Sequence, residues 1–303
     1  MERYAVLDIG TNSIKLHVAE KNFDGQWKSV WDSAKITRLG EGLQAAGKLG
    51  INAMERTIAV MSEMKTLAHT HGVQEIVAAG TMCLRTASNA ADFIRRVQEQ
   101  CGITVEVLSG EEEARLAYLA VQSGLSLDRG ALMIFDTGGG STEFIFGRNN
   151  ALERRFSVNV GAVRLTEEIL LSDPVSTAEV DRTVAAIAED LAGFELNGTV
   201  DRIVGIGGTV TTLSGVKQRL SEYRPDRIQG SMVELSEIER QIDMYAAKTI
   251  AERQAIIGLH PQRADVILAG ALIVREILKK ARVESLTVSG RGMRHGLLVD
   301  RCA

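Results

Sequence analysis

The 303-residue chain, 45% hydrophobic and 24% charged, is long enough to bury a sizeable core and reads as two soluble domains. A formal net charge of −4 excludes global attraction to nucleic acid or anionic lipid, so any polyanion must be held by local Arg and Lys. Cys83, Cys101 and Cys302, without metal-like spacing, point to a reducing cytosol with neither structural disulfides nor a zinc site; no signal peptide is expected, and the longest apolar stretch, Val266 to Val274, is too short for a membrane span.

In chain order, the first apolar run ends in Val6-Leu7-Asp8-Ile9-Gly10-Thr11-Asn12-Ser13 and resumes as the alternating Ile14-Lys15-Leu16-His17-Val18, which predicts a hairpin. Trp27 to Ile36 reads as a third strand and Arg38 to Gly50 as a loop. Asn52 and Glu55 have capping-box spacing, and Ile58, Met61, Met64 and Ala68 carry a helical period up to Gly72, with the methionines as core filling. His69 and His71 close this helix two residues apart, off a common face, which argues against a metal pair. Gln74 to Ala79 is a short strand, Asn89 to Gln100 a helix and Ile103 to Leu108 another strand, so an α/β layer is predicted. Gly110-Glu111-Glu112-Glu113 opens a helix that is apolar nearly all round and therefore buried, ending at Gly124. Ser126 to Arg129 reads as a linker.

The second half repeats the opening. Ile134-Phe135-Asp136-Thr137-Gly138-Gly139-Gly140-Ser141-Thr142-Glu143 is again strand, carboxylate, tight turn and strand. Consecutive glycines let backbone N–H groups converge on an anion, and an Asp at the strand end is placed to hold a divalent cation. Taken alone, Asp-x-Gly is also ordinary hairpin chemistry. Two further strands end in glycine turns, Gly205-Ile206-Gly207-Gly208-Thr209 and Ser289-Gly290-Arg291-Gly292, and four such exits suggest two related halves facing one cleft. Ser176 and Glu179 form a capping box for a helix to about Ala192, and Pro261 reads as the first residue ahead of a long core helix, Val266 to Ala281. His260 reads as a solvated loop residue. Arg291, Arg294 and His295 gather after the last strand, where α/β sheets place ligands. Acids at a helix start complement the macrodipole, but a partly desolvated one can also serve as a general base; the residues do not choose among Glu111, Glu112 and Glu113.

These motifs, with the Thr81 to Asn89 region that contains Arg85, Ser109 to Leu116, Gly161-Ala162-Val163-Arg164-Leu165, Pro261 to Asp265 and Ser289 to Gly296, cover both halves in order. The chain thereby resembles the exopolyphosphatase/guanosine pentaphosphate phosphatase (Ppx/GppA) family in its short two-domain form. The resemblance implies an α/β fold of two ribonuclease-H-like domains, similar to actin and the sugar kinases, with mixed sheets and an interdomain cleft. Domains 1–125 and 126–291 are expected, with a C-terminal helix at 292–303 packing back on the first. It implies Glu113 as catalytic base and Arg85 as a phosphate ligand. Asp136 and Glu143, with Asp8 as symmetric partner, would hold magnesium or another divalent cation. Phosphate would be cradled by Gly10, Thr11, Asn12, Ser13, Lys15, Gly138, Gly139, Gly140, Ser141, Gly208 and Thr209. The implied reaction is exopolyphosphatase cleavage of inorganic polyphosphate by a cytoplasmic homodimer, with guanosine pentaphosphate hydrolysis or a non-hydrolysing sensor as alternatives. A kinase on the same fold would need more chain for its sugar and adenine pockets. Met82-Cys83 departs from the family's usual Ser-Ala and would alter the pocket wall.

Overall fold

The computed structural model describes residues 2–302 except 24–26, 128, 150 and 196–199, so Asp128 of the expected linker lies outside the described residues. The chain divides into two compact units, Met1–Ala120 with Met293–Ala303, and Val121–Gly292.

The first unit contains β1 (Glu2–Ile9), β2 (Ser13–Lys21), β3 (Trp27–Ile36), α1 (Leu43–Ala46), α2 (Ile51–Thr70), β4 (Glu75–Gly80), α3 (Met82–Thr86), α4 (Ala90–Cys101), β5 (Val105–Val107) and the start of α5 (Gly110–Leu125). Its sheet order is β3-β2-β1-β4-β5, with β1, β2 and β3 antiparallel and β4 and β5 parallel to β1. Strand alternation gives the sheet two apolar faces. Leu7, Ile9, Ile14, Leu16 and Val18 pack with Met54, Ile58, Met61 and Phe93 of α2 and α4. Val6, Ala19, Ala79 and Leu108 pack on the other face with Leu116, Leu297 and Leu298. The methionines are indeed core residues. The capping box expected at Asn52 is not formed: α2 begins two residues earlier than that box requires, at Ile51, with Gly50 as a cap that has no side chain to offer.

The second unit takes the chain from the end of α5 through β6 (Ala131–Thr137), β7 (Thr142–Arg148), β8 (Ala151–Val158), α6 (Ala162–Glu168), α7 (Thr177–Ala192), β9 (Arg202–Ile206), α8 (Gly207–Lys217), α9 (Pro225–Ile228), β10 (Met232–Glu234), α10 (Leu235–Ala246), α11 (Ile250–Arg253), α12 (Ile267–Ala281) and β11 (Ser285–Val288). Then α13 (Met293–Arg301) belongs to the first unit again. The second sheet runs β10-β11-β9-β6-β7-β8. Read from β8, it is the first sheet's pattern repeated: three antiparallel strands, then two parallel ones, with antiparallel β10 added at the edge. This is the ribonuclease-H-like arrangement, twice. The α12 helix is buried along almost its whole length, from Ile267 to Leu278, as its continuous apolar run predicts. Pro261 opens a short 3-10 turn rather than α12 itself. The Ser176–Glu179 capping box is present with both reciprocal bonds. Among the described residues no helix is long and apolar enough to cross a membrane.

Candidate active site

In the first unit, the β1–β2 turn closes through Gly10 N–H donating to Ser13 O (3.0 Å). The carbonyls of Thr11 and Asn12 are tied to the 37–40 loop by the N–H groups of Gly40, Thr37 and Arg38. Asp8 is directly opposite Lys15 on the next strand. Lys15 Nζ donates to Asp8 Oδ2 at 3.4 Å, and Asp8 is only 8% exposed. The expected phosphate-binding lysine and the expected third metal carboxylate are therefore partners.

Parallel pairing of β4 with β5 brings the starts of α3 and α5 to one end of the sheet. Arg85 Nη1 there donates to Glu113 Oε2 (2.9 Å) and to Leu108 O (2.8 Å). The other two acids of this helix start are distinguishable by surroundings. Glu111 is exposed. Glu112 is held by Arg115 (2.9 and 2.8 Å) and Arg301 (3.0 Å). The Arg115 hydrogen bonds, against the opposing effect of burial and with help from Arg301, lower its carboxyl to about 2. Glu112 is thus committed to a structural network, whereas Glu113 joins the arginine expected to meet phosphate. Of the unusual pair, Cys83 is buried in the core beneath Thr11, its thiol pushed up by burial, and Met82 is the exposed member.

The second unit builds the same turn: Gly138 N–H donates to Ser141 O (2.9 Å). The carbonyls of Gly138 and Gly139 are taken by Ala162, Val163 and Arg164 N–H at the start of α6, and within the turn itself only the Gly138 N–H is spent, on Ser141 O. Gly161 makes this docking possible, because a Cβ there would lie 2.3 Å from Gly139 O. A side chain at Gly140 would meet open space. Here the residue opposite Asp136 is Glu143. Glu143 Oε1 accepts from Ser141 Oγ (2.5 Å) and Ser157 Oγ (3.1 Å). Two carboxylates directly opposite on antiparallel strands repel unless a cation relieves them, and two carboxylates plus phosphate oxygens and water is the usual magnesium donor set. The residues present fit such an ion.

Gly207 and Gly208 start α8 against this pair. A Cβ on Gly207 would collide with Asp136 Oδ1, and one on Gly208 with the guanidinium of Arg263. Arg263 keeps much of its surface in solvent, yet its charged end lies on Gly208. Burial there lowers its pKa, while Asp136 and Asp265 act in the opposite direction. The motif Pro261 to Asp265 was visible in the sequence, but nothing in it signalled that Arg263 would neighbour Asp136. Thr209 is buried, its hydroxyl 3.5 Å from Thr137 O, so it can offer a ligand only its backbone. Arg164 is occupied by Asp190 and Glu168, and His260 caps the 3-10 turn by accepting from Gln262 N–H (3.3 Å). Arg291 packs on Gly124, whereas Arg294 and His295 belong to α13.

A family model described as the Ppx/GppA phosphatase family matches residues 18–303. Exopolyphosphatase 2 of Mycobacterium tuberculosis is 31% identical over 99% of this chain and 98% of its own. The bifunctional 3-dehydroquinate synthase/phosphatase of Fusobacterium nucleatum is 30% identical over 98% of this chain, which spans only 46% of that protein. Guanosine-5'-triphosphate,3'-diphosphate pyrophosphatase of Vibrio cholerae is 27% identical over 98% of this chain and 59% of its own. Among solved structures, the type II variant of the Aquifex aeolicus Ppx/GppA phosphatase superposes with a TM-score of 0.89, 34% identity and full coverage of both chains. The sequence motifs, the twofold sheet pattern and these matches agree, and the chain belongs to the Ppx/GppA phosphatase family of hydrolases.

Proposed function

We propose that this protein hydrolyses the terminal phosphoanhydride of inorganic polyphosphate, releasing orthophosphate. The observation that carries the reading is the Arg85–Glu113 pair, a base candidate bonded to an anion-binding cation at 2.9 Å. Phosphoryl transfer needs a positioned water and charge neutralisation, with little covalent work from the protein. Glu113 orients a water and accepts its proton as the water oxygen attacks the terminal phosphorus. The anhydride P–O bond breaks, and the electron pair leaves with the shortened chain. Both Arg85 bonds come from Nη1, so Nη2 and Nε can meet phosphoryl oxygens. The N–H groups of Gly139 and Gly140 donate to phosphate, with the Gly10 to Ser13 turn assigned the same role. Asp136 and Glu143 would hold magnesium, which when bound neutralises phosphoryl charge; Asp8, expected as their symmetric partner, is paired with Lys15.

Polyphosphate is preferred over guanosine pentaphosphate because the chain spans nearly all of an exopolyphosphatase at 31% identity but 59% of the nucleotide pyrophosphatase at 27%. The test is orthophosphate release with magnesium from each substrate at equal terminal-phosphate concentration, with Glu113→Gln alongside. Faster release from polyphosphate, lost in the variant, is the expected outcome. Faster release from the nucleotide reassigns the substrate. Full turnover by Glu113→Gln removes the base, and no release from either substrate leaves a binding protein.

A further inference from the structure

The first unit carries a second group of chemistry-bearing side chains that the reaction does not use. His17 of β2 stands directly opposite Asp32 of β3, and α13 lays His295 against them, its ring 4.5 Å from that of His17. One ligand atom from each of His17, Asp32 and His295 lies within 4.8 Å of the others, the sole such trio of His, Cys, Asp or Glu among the described residues. We propose that these three residues form a binding site for a zinc-class divalent ion that fastens α13 to the β2–β3 edge of the first sheet.

Two observations argue for an ion rather than for ordinary packing. His17 is 3% exposed, and its Nδ1, although 3.3 Å from Asp32 Oδ2, makes no hydrogen bond of acceptable geometry. A buried imidazole nitrogen without a partner is costly. A separation near 3.3 Å is also what neighbouring ligands keep around an ion bound at about 2.1 Å in a tetrahedral shell, where it is ~3.4 Å. Second, Asp32 is fixed from behind by Arg294, whose Nη2 donates to Oδ2 at 2.8 Å. Carboxylate ligands are commonly oriented by such an outer partner, and Oδ2 keeps a second lone pair for the ion. Two imidazoles and one carboxylate suit zinc, cobalt or nickel far better than magnesium, which takes oxygen. Asp32 is the most open of the three, so water can complete the shell.

The probe is Co2+, added to chelator-stripped full-length protein and followed by visible absorption, with Zn2+ as competitor. Imidazole ligation in a near-tetrahedral site gives intense bands, while the oxygen-only Asp136–Glu143 pair would give weak octahedral ones. We expect one equivalent of strongly absorbing Co2+, displaced by Zn2+. Affinity should fall at least tenfold in His295→Gln and in Asp32→Asn, and Zn2+ should raise the melting temperature of the parent but not of His295→Gln. Both positions are more exposed than His17, so the variants can fold; circular dichroism checks this. Weak octahedral bands in the parent, or unchanged affinity in both variants, would overturn the site.

Discussion

The two hairpins at the heart of the units are built on one plan and differ at one decisive pair. Each carries Asp as the last residue but one of a strand, closes its turn with a glycine N–H on the carbonyl of a serine three residues on, and starts a second strand. Asp8 and Asp136 occupy equivalent positions. Opposite Asp8 stands Lys15; opposite Asp136 stands Glu143. The first hairpin sets a lysine opposite its Asp, and the second sets a glutamate there, with Arg263 beside Asp136. A duplicated scaffold thus offers a turn with a cross-strand ion pair and one with a cross-strand pair of acids. The largest effect expected from this comparison is at Glu143. Glu143→Gln keeps acceptors and donors for Ser141 and Ser157 but removes one of the facing charges. Phosphate release should fall about a hundredfold or more with the magnesium optimum moved upward. Thermal stability should hold or rise, since like charges opposite each other are destabilising. Activity and stability falling together would mean that Glu143 is structural.

Much of this was legible in the sequence. Alternating strands around Asp-x-Gly announced both hairpins, and the cross-strand pairs follow by counting outward from each turn. The Ser176 capping box was readable because cap and helix are local. The Asn52 box misled because its spacing recurs inside the first turn of a helix that Gly50 already begins. Contacts made through the sheet were harder to read. Arg85 and Glu113 are 28 residues apart and meet only because β4 and β5 run in parallel. Asp32 and His295 are brought together by the return of α13, and no local pattern encodes that. Gly296 is the residue that permits it, since a Cβ there would lie 1.9 Å from Leu116 O.

The turns also differ in what supports them. Gly161 lies against the backbone of Gly139 and Gly140, whereas a Cβ on Gly40, its counterpart in the first unit, would clash with the Thr11 methyl and lie 3.5 Å from the backbone at Thr11 O. Gly161→Ala should therefore cost about 1–3 kcal/mol and displace the turn, and Gly40→Ala less than about 1 kcal/mol as Thr11 rotates. Urea unfolding of both variants measures this; equal costs would show that backbone contact is not what fixes the second turn. A smaller effect is expected in acid. Glu112 has its folded pKa lowered from 4.5 to about 2, chiefly by Arg115. A depressed carboxylate contributes stability above its unfolded pKa and loses it as pH falls through the folded one, here between about 4.5 and 2. The shift alone would correspond to ~3 kcal/mol, and solvent around Arg115, 42% exposed at its side chain, reduces this to roughly 1–2 kcal/mol. Glu112→Gln should flatten the stability profile over that interval; an unchanged acid limb would remove Glu112 as its source.

The smallest effect is the most direct test of the hairpin comparison. Lys15→Glu gives the first turn the acid–acid pair of the second. Asp8 is nearly buried, and it would lose its cation and face a like charge, at a cost of about 0.2–1 kcal/mol. If facing carboxylates at this strand position make a cation site, millimolar magnesium should recover that loss in Lys15→Glu and do nothing for the parent's first unit. The converse, Glu143→Lys, supplies the second turn with its own cation and should abolish magnesium-dependent phosphate release while leaving the fold intact. Melting curves with and without magnesium read both. If magnesium leaves Lys15→Glu as unstable as before, the pairing of two acids is not sufficient to attract the ion. The magnesium role of Asp136 and Glu143 would then have to rest on the glycine turn and its bound phosphate rather than on the carboxylates alone.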